Sequence, residues 1–268
     1  MPYIHDVFQH RSPVALITGS GSPRVGREIA VLLAGLGCRL ALHANHSIDE
    51  AEEAAGVIAQ DFDTDVIVTH GSLDDETVAE KIVADTHGHF GRLDILVNSA
   101  AIWSPTKLEE ISADEMRRYH DVNLMGSFMT ARAAGLRMAE QETGGSIINI
   151  GDWATVRPYM DHAAYFPSKG AVEVMTRSLA VELASRNRKI RVNCIQPGPV
   201  MLADDVTDAH RNKIAASTLV GQVGTAHHVA HGVKFLCEND FVTGVCLPID
   251  GGRSIYAPDG LQVGINTG

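Results

Sequence analysis

Tyr165 and Lys169 stand four positions apart, a spacing that on a helix puts both side chains on one face, one turn apart. An ammonium beside a phenol stabilises phenolate, so Tyr165 is expected to exchange a proton nearer neutral pH than free tyrosine does. A solvated Tyr/Lys helix face is the competing reading of these two residues alone. Asp152 precedes them across a short polar loop, just past a buried apolar run at Ile147, Ile148 and Ile150. Open α/β sheets bind their ligands at the carboxyl ends of strands, which is where Asp152 falls.

The elements that must position these groups read in order along the chain. Val14–Thr18 is a short apolar run, followed by Gly-Ser-Gly-Ser-Pro-Arg-Val-Gly and a helical pattern through Gly35. Strand, glycine-rich turn and helix make a dinucleotide site: glycines admit a close pyrophosphate, and the helix N-terminus offers free amides. Gly19, Gly21, Arg24, Val25 and Gly26 are therefore cofactor candidates. Further strands read at 39–43, 65–69, 93–97, 146–150 and 190–195, with a last one within 241–250. Helical patterns separate them, including a long one from Glu115 to Met138 that carries Asn123 and one entered near His162. This alternation predicts a single α/β domain of the doubly wound Rossmann type, with a parallel sheet and helices on both faces. Residues 1–268 read as that one domain, with 1–11 as a tail or an added edge segment and 256–268 as a tail.

Length and composition agree with this class. The chain has 268 residues, 45% of them hydrophobic, enough for a full core. A formal net charge of −11 argues against nucleic acid or an anionic membrane as partner, though not against an anionic cofactor held by backbone amides. No apolar run resembles a signal peptide or a membrane span, so a cytoplasmic protein is expected. Cys38, Cys194, Cys237 and Cys246 sit in or beside apolar segments and read as free thiols rather than a disulfide framework. His227, His228 and His231 cluster without a carboxylate or cysteine and read as a solvated helix face, so no metal is expected.

Tyr165-Phe-Pro-Ser-Lys169 resembles the Tyr-x-x-x-Lys signature of the short-chain dehydrogenases/reductases, and the ordered motifs of nearly the whole chain share the likeness. That family usually carries a serine at the position of Asp152; an aspartate there is similar to the pteridine reductase subgroup, which reduces pterins and folates with NADPH. The resemblance implies that Tyr165, Lys169, Asn123 and Asp152 are catalytic, with Lys169 also on the nicotinamide ribose and Asn123 supporting a water chain. It implies cofactor contacts at Asn98 and Ala100, whose Asn-Ser-Ala-Ala stretch is similar to the family's Asn-Asn-Ala-Gly, and at Pro197 and Gly198. Ser72 stands where the family often has an aspartate near the adenine. The glycine turn departs from Thr-Gly-x-x-x-Gly-x-Gly as though one residue were inserted.

Around the second strand, His43 and Ser47 match a His-x-x-Arg-Ser stretch of the pteridine reductases, with His46 in the arginine's place. No acid precedes Asp49 to take ribose hydroxyls, so NADPH is the expected cofactor and NADH the lesser one. Arg24 matches an arginine between cofactor phosphates and pterin, and Trp103 an aromatic that stacks on the ring; a loop arginine and a core-packing tryptophan are the alternatives. The 201–225 segment suits a substrate lid. Three functions follow: a pterin- or folate-like heterocycle reductase using Asp152 and Tyr165, a carbonyl or imine reductase, or a non-catalytic dinucleotide-binding redox sensor. The partner is a small molecule, and the family's habit implies a homo-oligomer, commonly a tetramer.

Overall fold

The computed structural model of the chain describes residues 3–202 and 205–256. Seven strands, β1 (Val14–Thr18), β2 (Arg39–Ala44), β3 (Val66–His70), β4 (Ile95–Asn98), β5 (Gly145–Ile150), β6 (Ile190–Pro197) and β7 (Cys246–Ile249), form one sheet in the order β3-β2-β1-β4-β5-β6-β7. Every pairing is parallel. The strand order reverses between β1 and β4, and the crevice there is where a doubly wound sheet takes a nucleotide.

The period of two in β1 builds both layers. Ala15 and Ile17 point to one face, covered by α1 (Ile4–Val7), α2 (Val25–Gly35), α3 (Ile48–Phe62) and α9 (Ala226–Glu238). Val14 and Leu16 point to the other, covered by α4 (Glu76–Phe90), α6 (Gly126–Glu140) and α7 (Tyr165–Ala184). Burial on both sides explains why the central strands are nearly continuous apolar runs. The charges enclosed are answered: Arg92 holds the fully buried Asp94 carboxylate by two bonds of 2.6 and 2.8 Å. Arg191 donates to the carbonyls of Leu236, Cys237 and Asn239 and so satisfies the C-terminal end of α9.

Three expectations change in detail. Residues 4–8 do not trail free: Ile4 and Phe8 are fully buried against α9, an amphipathic turn closing that layer. The long helical pattern from Glu115 is broken into α5 (Ala113–Tyr119), a π-helical stretch (His120–Met125) and α6. Such a wide turn re-aims a side chain, here Asn123, and recurs at functional sites. The 201–225 segment carries α8 (Asp208–Ala216), a helix with no buried residue; positions 203–204 of that segment, like 257–268 of the C-terminal tail, lie outside the described residues. No described helix is long and apolar enough to cross a membrane.

Candidate active site

The glycine turn is closed by contacts that leave no room for side chains. Gly19 has φ +66°, and a Cβ on it would stand 2.7 Å from the Ala100 Cα. A Cβ on Gly21 would meet the Ser47 Oγ at 2.6 Å, and one on Gly26 the Gly19 carbonyl oxygen at 2.6 Å. The extra residue is absorbed in a tight turn in which the Arg24 N–H donates to the Ser22 carbonyl at 2.7 Å. α2 then starts at Val25, with extended Arg24 as its N-cap and no side-chain cap on its first amides. Backbone shape and free amides thus meet the requirements of a pyrophosphate. Thr18 Oγ1 ties the turn to β4 by accepting from the amides of Ser99 and Ala100 at 3.0 and 3.1 Å.

Two residues alter the sequence reading of this half. His43 is buried, not presented to a phosphate: Nδ1 accepts the Gly19 N–H at 3.3 Å, and Nε2 donates to the Gly71 carbonyl at 3.0 Å. Burial lowers its pKa, and both ring nitrogens brace the ends of three strands. Arg27, overlooked from the sequence, donates to the carbonyls of Ser20 (3.0 Å), Gly21 and Glu50 (3.0 Å) and supports the turn from behind. A cation in the first turn of a helix is electrostatically misplaced, and that was the available signal. His46 and Arg24 are exposed and Ser47 half-buried at the rim, while Ser72 accepts from the Asn45 side chain at 3.2 Å.

The second half converges past the ends of β5 and β6. The Tyr165 O–H donates to Asp152 Oδ2 at 2.9 Å, and Asp152 Oδ1 accepts the Ala154 N–H at 2.9 Å. Lys169 is buried, and its Nζ donates to the Ile150 carbonyl at 2.8 Å. This corrects the expectation for the phenol. Burial, and then the neighbouring Asp152 carboxylate, push the Tyr165 pKa strongly upward, so the phenol is held protonated. Burial likewise raises Asp152, against the Ala154 amide, Lys169, Tyr165 and His162, which pull it down. It lowers Lys169, with Asp152 and Cys194 opposing.

Asn123 is fully engaged: its Oδ1 accepts the Ile102 N–H at 2.8 Å, and its Nδ2 donates to the Ile102 carbonyl and Ser168 Oγ, both at 3.1 Å. It therefore clamps the loop after β4 to α7, and no hydrogen bond joins it to Lys169. Asn98 similarly donates to Asn149 Oδ1 and the Ser127 carbonyl at 3.0 Å. Pro197 ends β6, and Gly198 packs so closely on the turn after β7 that a Cβ would stand 2.5 Å from the Asp250 Cα.

Trp103 is 56% exposed and stacks on His162 with centroids 5.0 Å apart and planes 25° apart. It is not a core tryptophan. One face is backed by a ring, and more than half of its surface is open. His162 in turn touches Tyr159, Tyr165 and Phe166. Arg253 lies over Trp153 at 4.7 Å. These aromatic neighbours escaped sequence reasoning, because a loop without periodicity carries no statement of what it packs against. At the far helix, His227 pairs with Glu28 at 2.9 Å and His228 caps Thr225, each ring with its own partner.

Comparison with known proteins agrees with this geometry. The sequence model of a family described as Enoyl-(Acyl carrier protein) reductase matches residues 23–254. The 3-oxoacyl-[acyl-carrier-protein] reductase of Homo sapiens is 35% identical over 238 residues, 88% of this chain and 95% of that protein. Versicolorin reductase 1 of Aspergillus parasiticus is 31% identical over 255 residues, 89% of this chain and 95% of its own. A solved short-chain dehydrogenase/reductase from Serratia marcescens superposes with a TM-score of 0.82 at 30% identity, covering 91% of this chain and 98% of that one. With the parallel sheet, the glycine turn and the Tyr165–Lys169 pair already in place, the chain belongs to the short-chain dehydrogenase/reductase family of oxidoreductases.

Proposed function

We propose that this protein is an NADPH-dependent reductase of a pterin- or folate-like heterocycle, with Tyr165 as proton donor. The observation that supports it is the 2.9 Å bond from the Tyr165 O–H to Asp152. The family's usual serine donates to a ketone oxygen; an ionised aspartate only accepts, and its charge opposes a developing alkoxide. It favours a substrate that brings N–H donors or needs a ring nitrogen protonated.

A bound reduced nicotinamide supplies the hydride, and the chain's residues do the rest. The turn of Gly19, Gly21, Val25 and Gly26 receives the pyrophosphate, and Asn98, Ala100, Pro197 and Gly198 line the nicotinamide side. Ser47 and His46 take the 2′-phosphate at the rim, and Ser72 borders the adenine. Lys169 binds the ribose and balances Asp152. Arg24 and the open face of Trp103 hold a flat, electron-poor ring. Tyr165 then releases its proton toward the substrate while Asp152 orients the acceptor, acid catalysis worth about 10²–10⁴-fold. The family resemblance further supports a homo-tetramer, which sedimentation of the purified protein tests.

A second reading, reduction of a ketone, is favoured by the relatives, two of which are named 3-oxoacyl-[acyl-carrier-protein] reductase and Versicolorin reductase 1. NADPH oxidation measured with dihydrobiopterin, dihydrofolate and a ketone panel, and repeated with NADH, separates the two. Turnover of pterin that disappears in Asp152→Ser, with ketone reduction gained, supports the first reading. Ketone turnover alone removes it.

A further inference from the structure

Cys194 and Cys246 are register partners on the neighbouring strands β6 and β7. Both face the α7 side of the sheet, Cys194 inside that core and Cys246 against it. Adjacent strands run about 4.8 Å apart, within the roughly 4.4–6.8 Å Cα separation that a disulfide spans. β7 is the last strand of the sheet, so it can shift toward β6 without breaking a second ladder. Cys246 is half-buried where Cys194 is fully buried. From α7, Arg177 Nη1 donates to Cys246 Sγ at 3.4 Å.

The two thiols differ in acidity. Cys246 lies below its ordinary value, first through the neighbouring Cys194 thiol and then with help from Arg177, against burial and Glu173; the Cys194 thiol itself donates to the Ile195 carbonyl at 3.5 Å. Cys194 lies well above, through the neighbouring Cys246 sulfur and burial. Burial also raises Cys38 and Cys237, the latter to about 12. One half-exposed sulfur beside a guanidinium, with a protonated sulfur next to it, is the arrangement of a peroxide-sensitive cysteine and its resolving partner.

We propose that Cys246 and Cys194 are a thiol modification site, in which a peroxide oxidises Cys246 and Cys194 resolves it to an intramolecular disulfide. In the first step the Cys246 thiolate attacks hydrogen peroxide; the O–O bond breaks, hydroxide leaves and the sulfur, two electrons oxidised, becomes sulfenic acid. In the second, the Cys194 sulfur attacks the Cys246 sulfur; the S–S bond forms, the S–O bond breaks, and the departing hydroxide takes the Cys194 proton as water.

The site is coupled to the catalytic backbone. The Cys194 Sγ occupies the space beside Gly151, 2.8 Å from where a Cβ would be. Gly151 lies between Ile150, whose carbonyl holds Lys169, and Asp152. Drawing Cys194 toward Cys246 removes that support, and sub-ångström misplacement of catalytic groups is costly: turnover by the disulfide form falls about tenfold or more.

The test uses the intact protein and does not depend on the substrate assignment. Substoichiometric iodoacetamide followed by peptide mapping places the first label on Cys246, and Arg177→Gln slows it about threefold. Hydrogen peroxide then gives one Cys194–Cys246 linked peptide, reversed by dithiothreitol and absent in Cys246→Ser, a variant that keeps its turnover in peroxide. First labelling at Cys38 or Cys237, or oxidation of Cys246 to sulfinic acid without the linked peptide, overturns the proposal. Full turnover by quantitatively linked protein overturns the coupling to the active site.

Discussion

The two halves of the site are built on opposite principles. The glycine turn works by backbone: Gly19 packs against Ala100, Gly21 against Ser47 and Gly26 against the Gly19 carbonyl, and nothing in it needs to titrate. The Asp152–Tyr165–Lys169 cluster works by charge held out of water: each of the three is displaced from its ordinary pKa with burial as the first cause. A backbone cradle follows from ordinary packing and costs the fold little. A buried cluster of ionisable groups is kept against the stability of the fold and has to justify itself in chemistry.

The largest effect expected from this contrast is in the charged half. Tyr165→Phe keeps the ring contacts with Tyr119 and His162 and removes the proton, so kcat falls about 10²–10⁴-fold while NADPH affinity, read by fluorescence titration, is retained. Equal loss of both would erase the division between halves.

Gly19→Val attacks the backbone half. At φ +66°, with Ala100 2.7 Å from the new Cβ, the turn must move, destabilising the fold by about 1–3 kcal/mol and abolishing cofactor binding. Unfolding in urea and NADPH titration measure the two parts, and a variant that binds NADPH normally would refute the shape argument.

Asp152→Asn inverts the usual sign of a mutation. Burial raises the native pKa of Asp152 above its unfolded value. Its stabilising contribution is therefore complete below the unfolded carboxylate pKa and is lost as pH rises through the native one. The amide escapes that loss: its oxygen accepts the Ala154 N–H and its NH2 donates to the Tyr165 oxygen, so the variant is less active but more stable at neutral pH by about 0.5–2 kcal/mol. Its advantage in thermal midpoint shrinks as pH falls below the native Asp152 pKa; a constant advantage from pH 4 to pH 8 would locate its origin elsewhere.

The smallest effect is at the rim. If the substrate is the proposed ring, Trp103→Ala, which removes an exposed face stacked on His162, raises its KM about fivefold to tenfold, leaving kcat and the fold nearly unchanged. A fall in kcat with unchanged KM would make Trp103 a support rather than a contact.

Much of this was legible in the chain. The strands at Val14–Thr18 and at 190–195, the glycine turn, and the shared face of Tyr165 and Lys169 follow from apolar periodicity, the freedom of glycine and the helical repeat, all local properties of consecutive residues. The likeness of one motif to a family added Asp152 as the departure worth testing. What the chain could not state depends on neighbours distant in sequence. His43 matches a phosphate motif by its letters, yet β1 and the end of β3 close over both its nitrogens. Lys169 reads as the partner of the phenol, yet its ammonium is turned to the Ile150 carbonyl, and Asp152 sets the phenol's proton instead. Residues 4–8 read as either a tail or an edge segment until α9 offers Ile4 and Phe8 an apolar surface. Periodicity and spacing determine which side chains share an element and a face. Which of them loses water, and beside which charge, is decided only when sequence-distant elements pack, because desolvation and Coulomb interaction depend on distance in space rather than along the chain.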